Sequence, residues 1–441
     1  MRLFKDHFKD KLNQSIERIL IPKSLMEETE NALRASKLES VVFLFGKVKD
    51  GKLLVTDVIV PSDQDYDARS YGHVSVKPEF VIREFSKLEK EGKTQVATVH
   101  SHPMDTLSSG DVDTHMKVIQ FYPYQLSGVY NSGRFFFYRY EDGMKLTPYQ
   151  VVDLSRFDRQ VRAFEIEGQL LISSSTIVLI GVGGGNTKIA FDLASLGAGK
   201  LILIDPDKWE EHNRNRVFIP SNLCGRNKAK SIKNLIEFYY DDVEVEAFPL
   251  KAEEVPKKVY EKADLLIIGP DTFSTRIYGN RLALSLKKPA VFPAAGIDSK
   301  EGKLSSMGGS VQVVVPDKTP CYECIAQISQ LDLERETMDP VKKKKLAERY
   351  GLGDRLEIPV APAIASLNDV IAGIALWEVI KLITGIQPIV EYQVYNALES
   401  KIEVLHADIN PNCPACSPEK PHGKVETESE EEVLSVARWK S

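Results

Sequence analysis

With 441 residues, 43% of them hydrophobic, the chain has enough apolar material for two buried cores, and its formal net charge of -6 excludes the broad basic surface that a nucleic-acid partner requires. Residues 1–14 are studded with Lys and Asp and lack the apolar run of a signal peptide. The most apolar late stretch, residues 370–382, is interrupted by Glu378 and Lys381 and reads as a buried helix, so a cytoplasmic chain with no membrane role is expected.

In chain order, residues 40–46, 53–60, 95–100 and 133–140 read as strands, with a helix over 77–91 between the second and third. An α/β domain over residues 1–150 is expected. From residue 154 buried strands alternate with helices, at 176–181, 188–196, 201–205 and 265–269, which is the pattern of a Rossmann-like, mostly parallel sheet with helices on both faces. This second domain is expected to span 151–417. Residues 418–441 are polar and acidic, too poor in apolar side chains to pack, and are expected to be a disordered tail.

Residues 96–103 read VATVHSHP. Two apart on a strand, His100 and His102 project from one face. Pro103 ends the strand, and Ser108-Ser109-Gly110-Asp111 begins a helix that returns a carboxylate toward the imidazoles. Three ligands and one open position describe a catalytic zinc, whose bound water has a pKa of about 7 and needs a base to take its proton. Glu39, at the mouth of strand 40–46, is the candidate base. The plainer alternative is that Ser108 only caps the helix and the histidines end a polar strand.

Glu39 in ESVVFLFG, followed by His-Ser-His-Pro and Ser-x-x-Asp, resembles the JAMM motif of JAB/MPN-domain metalloproteases, which remove ubiquitin-like proteins or trim their precursors. Over the first third of the chain this resemblance implies a JAB/MPN-type fold, zinc on His100, His102 and Asp111, Glu39 as general base, and Ser108 as the hydroxyl that steadies the oxyanion. The loop at residues 104–107 is shorter than the family's. Keeping the family's full spacing selects Asp113 as third ligand and puts Gly110 at the serine position; Asp111 is preferred because the Ser-Ser-Gly-Asp phrase is intact.

Further on, the strand at 176–181 runs through Gly181 into Gly183-Gly184-Gly185-Asn186 and a helix, an arrangement that lets backbone N–H groups approach phosphates. Asp205 ends the next strand, where an acid can bind a ribose hydroxyl, so a nicotinamide dehydrogenase is one alternative. The phrases HNRNR (212–216), GRNK (225–228) and DTFSTR (271–276) suit phosphate chemistry instead. Attack of a carboxylate on an α-phosphate builds charge that Arg216, Lys228 and a magnesium ion near Asp271 offset.

These phrases, with RFDRQ (156–160), PCYEC and PNCPAC, resemble the ThiF family of ubiquitin-activating-like adenylyltransferases over 154–416. The resemblance implies ATP contacts at Gly184 and Asp205, polyphosphate contacts at Asn213, Arg216 and Lys228, and a magnesium-linked acid at Asp271. It also implies a homodimer, since Arg159 matches an arginine that reaches the partner subunit's ATP site. Asn186 stands where the family has its third glycine, so a slightly displaced helix with retained ATP binding is expected. Cys321, Cys324, Cys413 and Cys416 form two Cys-x-x-Cys pairs suited to a tetrahedral structural zinc that pins the chain's end to the sheet. The remaining cysteine, Cys224, reads as a small buried hydrophobe, so adenylation without an internal thioester is expected, the activated tail passing to a thiol-bearing or conjugating-enzyme-like acceptor.

Both halves point to one substrate, the carboxyl end of a ubiquitin-like protein: a bifunctional enzyme that processes or removes the modifier and adenylates its terminal glycine. A sulfur-carrier-protein adenylyltransferase of cofactor or cysteine biosynthesis shares the second set of motifs, and a catalytically decayed scaffold is the non-enzymatic alternative.

Overall fold

The structure, a computed structural model, describes residues 16–49, 51–141, 143–300, 303–326, 333, 336 and 362–417. The acidic tail and residues 1–14 lie outside them. The chain divides into two compact units, Met1–Leu171 and Ile172–Ser441.

The first unit comprises β1 (Arg18–Pro22), α1 (Lys23–Arg34), β2 (Val41–Lys49), β3 (Lys52–Ile59), β4 (Tyr66–Arg69), β5 (Val74–Val76), α2 (Pro78–Lys90), β6 (Thr94–Ser101), α3 (Ser109–Val118), β7 (Leu126–Asn131), β8 (Arg134–Tyr140), β9 (Met144–Thr147) and β10 (Tyr149–Val152); α4 (Asp158–Ser173) follows. Its eight-stranded mixed sheet runs β10-β1-β3-β2-β6-β7-β8-β9, with β4 and β5 as a separate hairpin. The unbroken apolar run of β2 is explained by cover on both faces. Val42 and Leu44 join Met26 and Leu33 of α1, while Val41, Phe43 and Phe45 pack on Phe80 and Phe85 of α2. Phe85 sits edge-on to both Phe43 and Phe45, with centroids 5.1 and 4.7 Å away. Truncating it to Ala is worth about 3–5 kcal/mol.

Several strands escape the sequence reading, β7 among them, because its Gly128 breaks the alternation. A Cβ there would come 2.7 Å from Val99, so the glycine is what lets β7 lie against β6.

The second unit comprises β11 (Thr176–Ile180), α5 (Gly184–Ser195), β12 (Lys200–Ile204), α6 (Lys228–Tyr239), β13 (Glu244–Phe248), α7 (Lys257–Glu261), β14 (Leu265–Ile268), α8 (Phe273–Leu286), β15 (Ala290–Lys300), β16 (Lys303–Val314), α9 (Tyr322–Ile325), α10 (Ala365–Thr384), β17 (Tyr392–Asn396) and β18 (Lys401–Val404). Its sheet order is β13-β12-β11-β14-β15-β16-β17-β18. Strands β13 to β15 in that order are parallel, and β16, β17 and β18 extend the sheet antiparallel, a part the sequence reading missed. From β11 the chain turns to one side for β12 and β13, then returns to the other side for β14. That reversal opens a crevice at the carboxyl ends of β11 and β14, where α/β sheets bind ligands.

One face of the sheet packs Ile177 and Leu179 against α5, α6 and α10; the other packs Val178 and Ile180 against α7 and α8. The charges that interrupt the apolar run of α10 are buried as a pair: Lys381 Nζ donates to Glu378 Oε1 at 2.8 Å. Glu378 also accepts from the Val390 N–H at 2.9 Å and from Gln393 Nε2 at 2.7 Å, tying the helix to β17 and the loop before it. Among the described residues no helix is long and apolar enough to cross a membrane.

Candidate functional site

In the first unit, antiparallel pairing of β2 with β6 sets Val41 opposite His100, which places Glu39, just before β2, beside the histidine-bearing end of β6. The main chain of Glu39 is held in turn: its N–H donates to the Ser70 carbonyl at 2.9 Å, and its own carbonyl accepts from Arg69 Nε at 3.0 Å. His100 Nε2 lies 3.7 Å from Glu39 Oε1 and 3.3 Å from Asp111 Oδ1, and His102 Nε2 lies 3.8 Å from Asp111 Oδ2. His100, His102 and Asp111 each bring a ligand atom to within 4.8 Å of the others, a separation that suits one shared ion. His102 Nδ1 faces the Met104 carbonyl at 3.0 Å, which leaves Nε2 as the nitrogen that could hold a metal. Buried Glu39 Oε2 and His100 Nε2 have no hydrogen-bond partner, the state expected of groups arranged around an ion and its water.

Asp111 is the third member of this cluster, and Asp113 is exposed elsewhere on α3. Ser108 is the N-cap of α3: its Oγ accepts from the Asp111 N–H at 3.2 Å, and Asp111 Oδ2 accepts from the Ser108 N–H at 2.7 Å. The cap uses a lone pair of Ser108 and leaves its hydroxyl proton available, so capping is compatible with a ligand role for Asp111. Burial pushes the Glu39 carboxyl up, reinforced by Asp111 and opposed by His100, His102 and His73. Burial alone would also raise Asp111, but His100 and the Ser108 hydrogen bonds outweigh it and hold that carboxyl well below its ordinary value.

In the second unit a cavity of about 830 Å³ occupies the crevice at the ends of β11 and β14. Gly183 and Gly184, Asn213, Arg216, Lys228 and Asp271 all line it. Gly181 has φ +79° and a Cβ there would meet Pro270 at 2.9 Å, so the turn after β11 demands glycine without facing the cavity. At Gly184 a Cβ would come 2.4 Å from Asn368 Nδ2 and 3.1 Å from Arg216 Cδ; the missing side chain is what admits Arg216.

Lys228 Nζ pairs with Asp207 Oδ2 at 3.0 Å and lies 5.9 Å from the Trp209 ring centre, a cavity-lining residue the sequence reading passed over. Asn213 Oδ1 accepts from the Glu210 N–H at 2.9 Å, fixing the turn that presents Arg216. Arg276, also unassigned from sequence, is buried and donates to the carbonyls of Pro270 at 2.9 Å and Pro293 at 2.8 Å, bracing two cavity walls.

Asp205 stands apart from the lining residues. Its Oδ2 accepts from the Val182 N–H at 2.6 Å and Oδ1 from the Asp207 N–H at 2.8 Å, so this carboxylate shapes the turns beside the cavity. Asn186 bonds directly to the end of β11. Its buried Nδ2 donates to the carbonyls of Ile180 at 3.2 Å and Gly181 at 2.7 Å, so hydrogen bonds replace the close glycine packing between α5 and β11. Arg159 is exposed on α4, counted with the first unit.

The two cysteine pairs meet. Sγ separations are 3.7 Å for Cys321–Cys324, 3.5 Å for Cys321–Cys413 and 3.4 Å for Cys324–Cys416, and all four lie within 4.8 Å of one another. A tetrahedron with zinc–sulfur bonds of about 2.3 Å has edges of about 3.8 Å, so the donor set fits zinc. Asn280 Nδ2 and the Ala415 N–H point at Cys321 Sγ and Cys413 Sγ from 3.6 and 3.5 Å, the outer donors that thiolate ligands use. Cys224 lies outside the cluster, with Sγ 3.4 Å from Glu211 Oε2; burial and that carboxylate raise its thiol.

The profile of the ThiF family matches residues 157–415, more than half of the chain. A sulfur carrier protein adenylyltransferase of Thermus thermophilus is 26% identical over 278 residues, covering 60% of this chain and 92% of that protein. Ubiquitin-like modifier-activating enzyme 5 of Xenopus laevis is 24% identical over 281 residues, covering 60% of this chain and 65% of that enzyme. Among solved structures, MccB of E. coli aligns with a TM-score of 0.48 and 21% identity over 62% of this chain and 75% of that one. The glycine turn, the HNRNR and GRNK phrases and the first cysteine pair thus fall inside one continuous match that ends between Cys413 and Cys416, and the chain belongs to the ThiF family.

Proposed function

We propose that the second unit is an ATP-dependent adenylyltransferase acting on the C-terminal glycine of a small carrier protein. The carboxylate attacks the α-phosphate of ATP, an acyl–adenylate forms and pyrophosphate leaves. The observation that carries this reading is one cavity, at the switch point of the sheet, gathering Gly183, Gly184, Asn213, Arg216, Lys228 and Asp271. Arg216 and Lys228 offset charge on the phosphates, and Asp271, which lines the same cavity, would hold the magnesium that such chemistry uses to neutralise a departing pyrophosphate. Arg159 is assigned to the ATP site of a second copy in a homodimer.

A sulfur-carrier-like protein is favoured as substrate over a ubiquitin-like modifier: the similarity to the Thermus thermophilus sulfur carrier protein adenylyltransferase extends over 92% of that protein, while 65% of the Xenopus laevis activating enzyme is matched. Cys224 faces Glu211 and is absent from the cavity lining, which supports transfer of the activated tail to an external thiol or sulfur donor and not to this cysteine. Pyrophosphate exchange into ATP that depends on added carrier protein tests the proposal. Absence of exchange with every candidate carrier would leave the decayed scaffold standing.

A second reading belongs to the first unit. The converging His100, His102 and Asp111, with buried Glu39 alongside, support a JAMM-type zinc hydrolase that trims or releases the same carrier. Zinc held there would lower the pKa of water and supply a nucleophilic hydroxide at neutral pH. Glu39 would take the proton that the water loses, and Ser108 would donate to the developing oxyanion. Glu39→Gln is expected to keep zinc and lose cleavage; unchanged cleavage would remove Glu39 from the role.

A further inference from the structure

The four-thiolate cluster and the nucleotide cavity share a wall. Tyr322, the residue after Cys321, lines the cavity, and its ring stacks on Phe292, another lining residue, at 4.8 Å and 12°. The Arg276 guanidinium lies 6.0 Å from the Tyr322 ring centre while its N–H groups hold the Pro270 and Pro293 carbonyls.

One helix touches both places. On α8, Arg276 faces the cavity, and one turn later Asn280 Oδ1 accepts from the Tyr322 N–H at 3.0 Å while its Nδ2 points at Cys321 Sγ and donates to Glu323 Oε1 at 3.1 Å. Arg281 adds two bonds to Glu323, at 3.0 and 2.9 Å. Asn280 is fully buried, so these contacts leave the knuckle little freedom to move without moving the cavity wall.

We propose that Tyr322 and Asn280 make the thiolate centre part of the nucleotide site: Asn280 is a positioning residue for the knuckle, Tyr322 carries its position into the cavity, and metal occupancy and nucleotide binding strengthen each other. The linkage rests on the adenylation reading and is reciprocal in affinity, nucleotide raising the affinity for metal by the factor by which metal raises that for nucleotide, and the proposal assigns that gain to slower metal loss from the clamped knuckle.

Zinc release to a chelating dye is followed in the full chain carrying His102→Ala, so that only the thiolate-bound ion is counted. It is measured with and without a non-hydrolysable ATP analogue and saturating Mg²⁺, while calorimetry reports analogue binding separately. Release slowed at least about fivefold by the analogue is expected. Tyr322→Ala keeps every thiolate and the Asn280 contact to the main chain, so it is expected to release zinc at the unprotected rate with or without analogue. Asn280→Leu is expected to release zinc about tenfold faster and to bind the analogue more weakly. Analogue binding with an unchanged release rate overturns the linkage and leaves adenylation in place, and protection that survives Tyr322→Ala overturns it as well. No analogue binding by calorimetry removes the adenylation reading and the linkage together.

Discussion

Asn186 and Gly269 are fitted to each other: a Cβ on Gly269 would stand 2.7 Å from Asn186 Oδ1 and 2.9 Å from its Cγ and Nδ2. The asparagine amide bridges the end of β11, and the bare glycine after β14 makes room for it, so the two strand ends that frame the cavity are keyed together. Gly269→Ala is expected to cost about 1–3 kcal/mol, the range for overpacking a filled interior, and to weaken ATP binding. Adding Asn186→Gly is expected to restore most of the loss. Urea unfolding of both single variants and the double variant measures the coupling; additive losses would separate the two residues.

The first-unit metal is expected to depend on Asp111 and not on Asp113. Asp111→Asn is expected to lower bound zinc by one ion per chain in metal analysis, and Asp113→Asn to leave it unchanged. Ser108→Ala is expected to keep the ion while losing about 1 kcal/mol of stability from the α3 cap.

At the cavity, Lys228→Met is expected to lower carrier-dependent pyrophosphate exchange by about 10²-fold or more, the scale seen when one preorganised charge-stabilising donor is removed. Its partner Asp207 is expected to matter less, since Asp207→Asn leaves the ammonium in place. Exchange rates at saturating ATP check both.

Cys224→Ser is expected to retain full exchange activity and to change no thiol-sensitive adduct with the carrier. The Cys224 thiol is raised by burial and by Glu211, which lowers its thiolate fraction at neutral pH. Loss of a reducible carrier adduct in this variant would place a thioester on Cys224.

His115 gives the first unit an acid-sensitive component. Its Nδ1 meets Ser127 Oγ at 2.9 Å in the interior, and burial lowers its pKa from 6.5 to about 4. A depressed base binds protons more readily when unfolded, so its contribution is intact above the unfolded value and falls as pH drops from about 6.5 toward 4; by pH 5 the loss is about 2 kcal/mol. Urea midpoints of wild type and His115→Gln at pH 7 and pH 5 isolate the effect: the wild type is expected to lose about that much more.

Patterns of short range were legible in the sequence by itself. The spacing of His100 and His102 at the end of a strand, the Cys-x-x-Cys pairs, the glycine turn after an apolar strand and the DTFSTR and GRNK phrases each depend on strand, turn or helix geometry within a few residues. Tertiary structure decided what depends on contacts between distant segments. It brought Asp111, at the N3 position of α3, beside His100 and His102, while Asp113 is exposed. It also engaged both oxygens of Asp205 with backbone N–H groups, drew Trp209 and Arg276 into the cavity, and made room for Asn186 at a glycine 83 positions along the chain. Sequence patterns specify side-chain chemistry and local direction, whereas the register between strands and the fit of buried surfaces emerge only when the sheets assemble.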